Sequence, residues 1–79
     1  MTNEIFFKNI CEACEDIDAQ VPIAVIDRCC HELYFNSSAE DVNNLTYAGY
    51  RAIAERIQLS YDIEMARHFI ESVKEKNNE

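Results

Sequence analysis

One glycine and one proline in 79 residues leave this chain short of the residues that make tight turns. Hairpins depend on Gly, Asn and Pro at fixed turn positions, so a turn-rich β architecture is disfavoured and helices with short links are expected. Long apolar runs are missing too. The longest, Val21–Ile26, contains Pro22 and is far too short to span a bilayer. The opening Met1-Thr2-Asn3-Glu4 has no basic stretch, and Lys8 breaks the apolar residues after it. No signal peptide is therefore expected, the expected location is cytoplasmic, and the four cysteines are expected as thiols.

Positive charge is also scarce. Seven Lys+Arg stand against 15 Asp+Glu, a formal net charge of −8. Residues 1–41 hold nine acids against two bases, a surplus of seven, while residues 42–79 hold six against five, a surplus of one. A chain whose first half is a concentrated anion suits a positively charged partner and is repelled by nucleic acid or an anionic membrane. The hydrophobic share of 48% is ordinary for a globular chain, so disorder is not indicated. A single domain over 1–79 is expected, with the polar tail 74–79 frayed.

Periodicity divides this domain into about four antiparallel helices, a compact all-α bundle. The first runs from about Asn3 to Asp18, capped by Thr2 or Asn3, with Phe6, Ile10, Ala13, Ile17 and Val21 in one stripe flanked by Phe7 and Cys14. The second opens with Pro22 at its first position and buries Ile23, Ile26, Cys29, Cys30 and Leu33, stopping near Asn36. Ser37-Ser38-Ala39-Glu40 has capping-box spacing, with Ser37 as the cap. The third helix lines up Val42, Thr46, Gly49, Tyr50, Ile53 and Ile57. Gly49 costs about 1 kcal/mol of propensity there, which a closely approaching neighbouring helix would explain. Ser60 then caps a fourth helix that buries Ile63, Met65, Ala66, Phe69, Ile70 and Val73 and leaves Arg67, Glu71 and Lys74 in solvent.

Few residues here carry chemistry. Cys11-x-x-Cys14 with Cys29-Cys30-His31 is the one pattern that reads as a zinc site, since zinc takes four thiolate or imidazole ligands. Successive helical side chains diverge by about 100°, which sends His31 away from the Cys29/Cys30 face. Small buried hydrophobes are the expected role of all four thiols, with no metal and no cofactor. His31 and His68 have no nucleophile or carboxylate suggestively spaced, apart from the ordinary helix pair Glu64/His68. No catalytic role is expected anywhere.

Ile53-Ala54-Glu55-Arg56-Ile57-Gln58-Leu59-Ser60-Tyr61-Asp62 resembles the first helix and turn of the helix-turn-helix family. The resemblance covers about twenty residues and implies a DNA-binding regulator working through residues 50–74. It departs from the pattern at Gln58, where the turn usually has glycine, and at Glu64, where a branched apolar residue is usual. Asp62 and Glu64 would also repel phosphates.

The aromatics point instead to protein contacts. Phe35 lies off its helix stripe beside Tyr34, and Tyr47 and Tyr61 flank theirs; aromatic anchors ringed by charge are typical of interfaces, and of a dimer seam. The expected function is a small acidic non-enzymatic binding or inhibitor protein. Its anionic first half docks on a basic, nucleic-acid-binding surface of a partner protein, as phage anti-defence, anti-restriction and nuclease-immunity proteins do, or as a DNA mimic would. The expected contact residues are Glu12, Glu15, Asp16, Asp18, Asp27, Glu32, Phe35, Glu40 and Asp41. No direct nucleic-acid or membrane contact is expected. A homodimer is expected alongside this function, and a thiol-based metal-binding or sensing protein and the regulator above are the alternatives.

Overall fold

The computed structural model describes residues Thr2 to Asn77. Every regular element among them is helical: α1 (Asn3–Asp16), α2 (Ile23–Asn36), the single turn α3 (Ala39–Asn43) and α4 (Tyr47–Asn77). The all-α bundle implied by the sequence is what forms, but its residues are shared out differently among the helices.

Thr2 caps α1 as its spacing predicts, its hydroxyl accepting from the Ile5 N–H at 3.3 Å. α1 ends two residues earlier than expected, in a closing turn built on Asp18, which takes φ 56°. The Ala19 N–H donates to the Cys14 carbonyl at 2.9 Å and the Asp18 N–H to the Glu15 carbonyl at 3.0 Å, a Schellman closure with aspartate where glycine is usual. Ile17, Ala19 and Val21 then pack against the core from the connection. Pro22 is the residue before α2 rather than its first, and its carbonyl accepts from the Val25 and Ile26 N–H groups.

After α2 ends at Asn36 as expected, Ser38 and not Ser37 caps the next turn, accepting from the Asp41 N–H at 3.1 Å. That turn, α3, seats Val42 in the core and stops at Asn43. Thr46 starts a separate helix, its hydroxyl accepting from the Gly49 N–H at 3.4 Å.

The largest correction concerns residues 58–61. The expected break and the Ser60 cap are absent, and one helix of 31 residues runs through them. Nothing in Gln58-Leu59-Ser60-Tyr61 breaks a helix, since it holds neither Gly nor Pro. The Gln58 amide instead donates to Asp62 one turn on, at 2.9 Å. The helix-turn-helix resemblance falls with the turn. The tail expected to fray from Lys74 is helical as far as Asn77, and Asn78 and Glu79 lie outside the described residues.

The core consists of Phe6, Ile10, Ala13 and Cys14 of α1, Ile26 and Cys30 of α2, Val42 of α3, and Tyr50, Ala54 and Ile57 of α4. α1 packs on both α2 and α4, while α2 and α4 touch each other sparingly. Antiparallel pairing of α2 with α4 follows from Arg28 meeting Glu64 while Leu33 shares a groove with Ile53. Edge-to-face rings run through the centre, with Phe6 5.7 Å from Tyr34 and 6.1 Å from Tyr50.

Two further expectations fail on packing. Ile23 and Leu33, assigned to the buried face of α2, are exposed. Gly49 does not admit a neighbouring helix either. A β-carbon there would meet only side-chain atoms of its own preceding turn, the Leu45 tip at 2.9 Å and the Thr46 hydroxyl at 3.9 Å.

Candidate functional site

All nine residues expected to meet a partner are exposed, and the fold divides them into several groups. Glu15 of α1 and Asp27 of α2 both lie within electrostatic reach of Cys11. Burial first, and then the charges of Glu15 and Asp27, hold the Cys11 thiol above its ordinary pKa. Glu12 projects from the solvent side of α1, one turn before Asp16.

Asp16 has a structural task. It accepts a hydrogen bond from the Tyr47 hydroxyl at 2.5 Å, tying the end of α1 to the start of α4. That bond, with lesser contributions from burial and the carboxylate's charge, raises the Tyr47 phenol. Asp18 closes α1 through its backbone, and its side chain is exposed.

Glu32 stands elsewhere, at the rim of an open groove of about 540 Å³ between α2 and α4. Leu33, Ile53, Ile57 and Cys29 form its apolar lining, with Arg56 on the α4 side. Glu40 and Asp41 occupy the first turn of α3. Phe35 is 68% exposed, its ring edge-on to His31 at 4.6 Å and to Tyr34 at 5.9 Å. The Phe35–Tyr34–Phe6–Tyr50 series thus runs from the surface to the core.

The Glu15/Asp27 pair, with Glu12 on the same helix, is therefore an acidic face of α1–α2. Glu32, Phe35 and the α3 acids belong to other parts of the surface.

Cys11, Cys14 and Cys30 gather where α1 meets α2, while Cys29 lines the groove between α2 and α4. Cys14 and Cys30 are buried, Cys11 and Cys29 half-buried, and all four are free. Burial is the leading cause that raises each of them. Cys30 is pushed up to about 12, with the neighbouring thiols of Cys11, Cys14 and Cys29 and the Asp27 carboxylate adding to the effect. Such groups stay protonated at neutral pH and make poor nucleophiles and poor ligands. Among the described residues, no set of three or more His, Cys, Asp or Glu side chains is arranged to hold a metal ion. No buried charged or polar residue stands among them as a candidate acid or base.

Sequence reasoning missed one surface altogether. Ile63, Met65, Ala66, Phe69, Ile70 and Val73 of α4 were expected in the core and are all exposed, Phe69 at 71%, and Leu59 is exposed beside them. The signal was present in the spacing. Leu59, Ile63, Ala66, Ile70 and Val73 follow one another at intervals of 4, 3, 4 and 3.

No helix among the described residues is long and apolar enough to cross a membrane. Compared with protein-family models, curated proteins and solved structures, the chain matches none, which leaves its own surface as the guide to function.

Proposed function

We propose that this chain is a non-enzymatic protein-binding module whose acidic α1–α2 face docks on a basic surface of another protein. One observation carries the reading. Glu12, Glu15 and Asp27 are exposed, and none forms an ion pair with another described residue, although the first half of the chain holds a surplus of seven acids. Carboxylates that stabilise a fold are usually paired or bound to backbone N–H groups; these three face water. Asp16, whose carboxylate is held by Tyr47, drops out of the contact set.

The mechanism is occlusion. Clustered carboxylates accelerate encounter with a basic surface and occupy positions meant for phosphates, which is the chemistry of an inhibitor of a nucleic-acid-binding protein. The thiol-sensor alternative has against it four thiols that burial raises, and the regulator alternative lost its turn.

The test is affinity capture from the native host lysate at low and high salt, using the wild-type chain and a Glu12→Lys/Glu15→Lys/Asp27→Lys variant. A basic protein held at low salt, released at high salt, displaced by duplex DNA and ignored by the variant is the expected result. Equal capture by both chains would show the acids to be a solubilising coat.

A further inference from the structure

α4 carries two apolar faces on opposite sides. At about 100° per residue, Tyr50, Ala54 and Ile57 share one azimuth, turned towards α1 and α2. Leu59, Ile63, Ala66, Ile70 and Val73 cluster about half a turn away from it. On the domain side, the residues that continue the first face are Tyr61, Glu64 and His68, and Glu64 meets Arg28 of α2. No bending of α1 or α2 brings them round to the second stripe.

Length adds to this. With 31 residues α4 is about 46 Å long, against about 21 Å for the 14-residue α1 and α2. The molecule's longest dimension is 53 Å.

We infer that a second copy of this chain covers the stripe, the two α4 helices pairing in parallel over residues 59–73 as a short two-stranded coiled coil. The intervals of 4, 3, 4 and 3 place Ile63 and Ile70 at one seam position of the heptad and Leu59, Ala66 and Val73 at the other. Isoleucine at the first with leucine at the second favours two parallel strands, a pattern met here by Ile63 and Ile70 with Leu59, while Ala66 and Val73 complete the second row.

The flanking charges are self-complementary. Asp62 precedes a seam residue and Arg67 follows one five residues later, so each Asp62 faces Arg67 of the other copy, on both sides of the pair. Phe69 and Lys74 repeat this relation one heptad on, and there the lysine stem covers the exposed ring. A fully overlapping antiparallel pairing would instead set Arg67 against Arg67 across the axis.

Residues 58–77 carry four acids against three bases, so two copies meet there almost without net repulsion. The acidic domains, on the outer sides of the two helices, stay apart. This pairing is independent of the acidic-face reading, since it uses none of the same residues.

The test is the mass of the full chain by light scattering and sedimentation at high micromolar concentration. Wild type is expected at twice the monomer mass, and Ile63→Glu/Ile70→Glu at the monomer mass with a cooperative thermal transition retained. A second variant set reads orientation without touching the apolar seam. Asp62→Arg should weaken the dimer several-fold, and Asp62→Arg/Arg67→Asp should restore it. A monomeric wild type, or a dimer that survives the isoleucine substitutions, overturns the pairing. Failure of the double charge swap to restore a dimer lost in Asp62→Arg overturns the parallel arrangement.

Discussion

The two halves of α4 are built from similar residues and have opposite fates. From Tyr47 to Ile57 the helix lies against α1 and α2, with Tyr50, Ala54 and Ile57 buried. From Leu59 onward it is at least as rich in large apolar side chains, and every one of them except the half-buried Tyr61 is exposed. The difference lies in azimuth rather than composition. A helix buries the side that its neighbours can reach, and the second half turns its apolar stripe away from them. An amphipathic pattern therefore shows that a face needs a cover, without saying that the same domain supplies it.

Two phenylalanines break or sharpen this contrast most directly. Phe6 is 1% exposed, in contact with Tyr34 and Tyr50, whereas Phe69 is 71% exposed. Phe6→Ala should cost about 3–5 kcal/mol in urea unfolding, the range for buried phenylalanine. Phe69→Ala should stay within about 0.5 kcal/mol in dilute solution, as surface substitutions do. Equal losses would mean that the second half of α4 folds back onto the domain in solution.

A middle-sized effect is expected in the thiol layer of the packed half. Cys30→Ser places a hydroxyl at a site 1% exposed, and an unpartnered buried polar group costs about 1–3 kcal/mol. The raised thiols also give the packed half an alkaline limit. The unfolded chain loses thiol protons from about pH 8.5, while the folded state holds the Cys30 proton to about 12. Their contribution to stability is thus complete below about pH 8.5 and lost as pH rises towards about 12. Thermal midpoints should fall through that window, less steeply in Cys30→Ala than in wild type, and identical slopes would remove Cys30 as the cause.

Gly49, near the start of α4, offers a gain. Alanine there recovers about 1 kcal/mol of helix propensity. The one tight contact of its methyl would be the flexible tip of Leu45 at 2.9 Å, which can shift. Gly49→Ala should therefore raise the thermal midpoint, and a fall would show that Leu45 is held in place.

Much of this was legible in the sequence. The 3.6-residue period located α1, α2 and the packed half of α4, because each has neighbours on its apolar side. The Thr2 cap and the stop near Asn36 were readable from local chemistry. The supposed break at Ser60 was not, since serine caps a helix only where something else ends the previous one, and nothing there does. Ser37 and Ser38 compete for one cap on nearly equal terms, and tertiary docking of Val42 selects Ser38. The acids were correctly read as exposed. Which of them share a face depends on how α1 and α2 are set side by side, and the local duties of Asp16 and Asp18 depend on Tyr47 and on the backbone at Asp18. None of that is encoded in spacing along one helix.

The smallest effect expected lies at the junction of the two halves. Arg28 of α2 meets Glu64 of α4 at 3.7 Å, and Glu64 also faces His68 at 4.0 Å, with all three side chains half or more exposed. Exposed pairs contribute about 0–1 kcal/mol, because water screens the attraction and two long side chains lose freedom to make it. A double-mutant cycle of Arg28→Ala and Glu64→Ala should therefore give a coupling below about 1 kcal/mol that shrinks further in high salt. A larger, salt-resistant coupling would mean that the projecting half is fastened to the domain, and that helix continuity from Ile57 to Leu59 is not by itself what holds the seam clear of it.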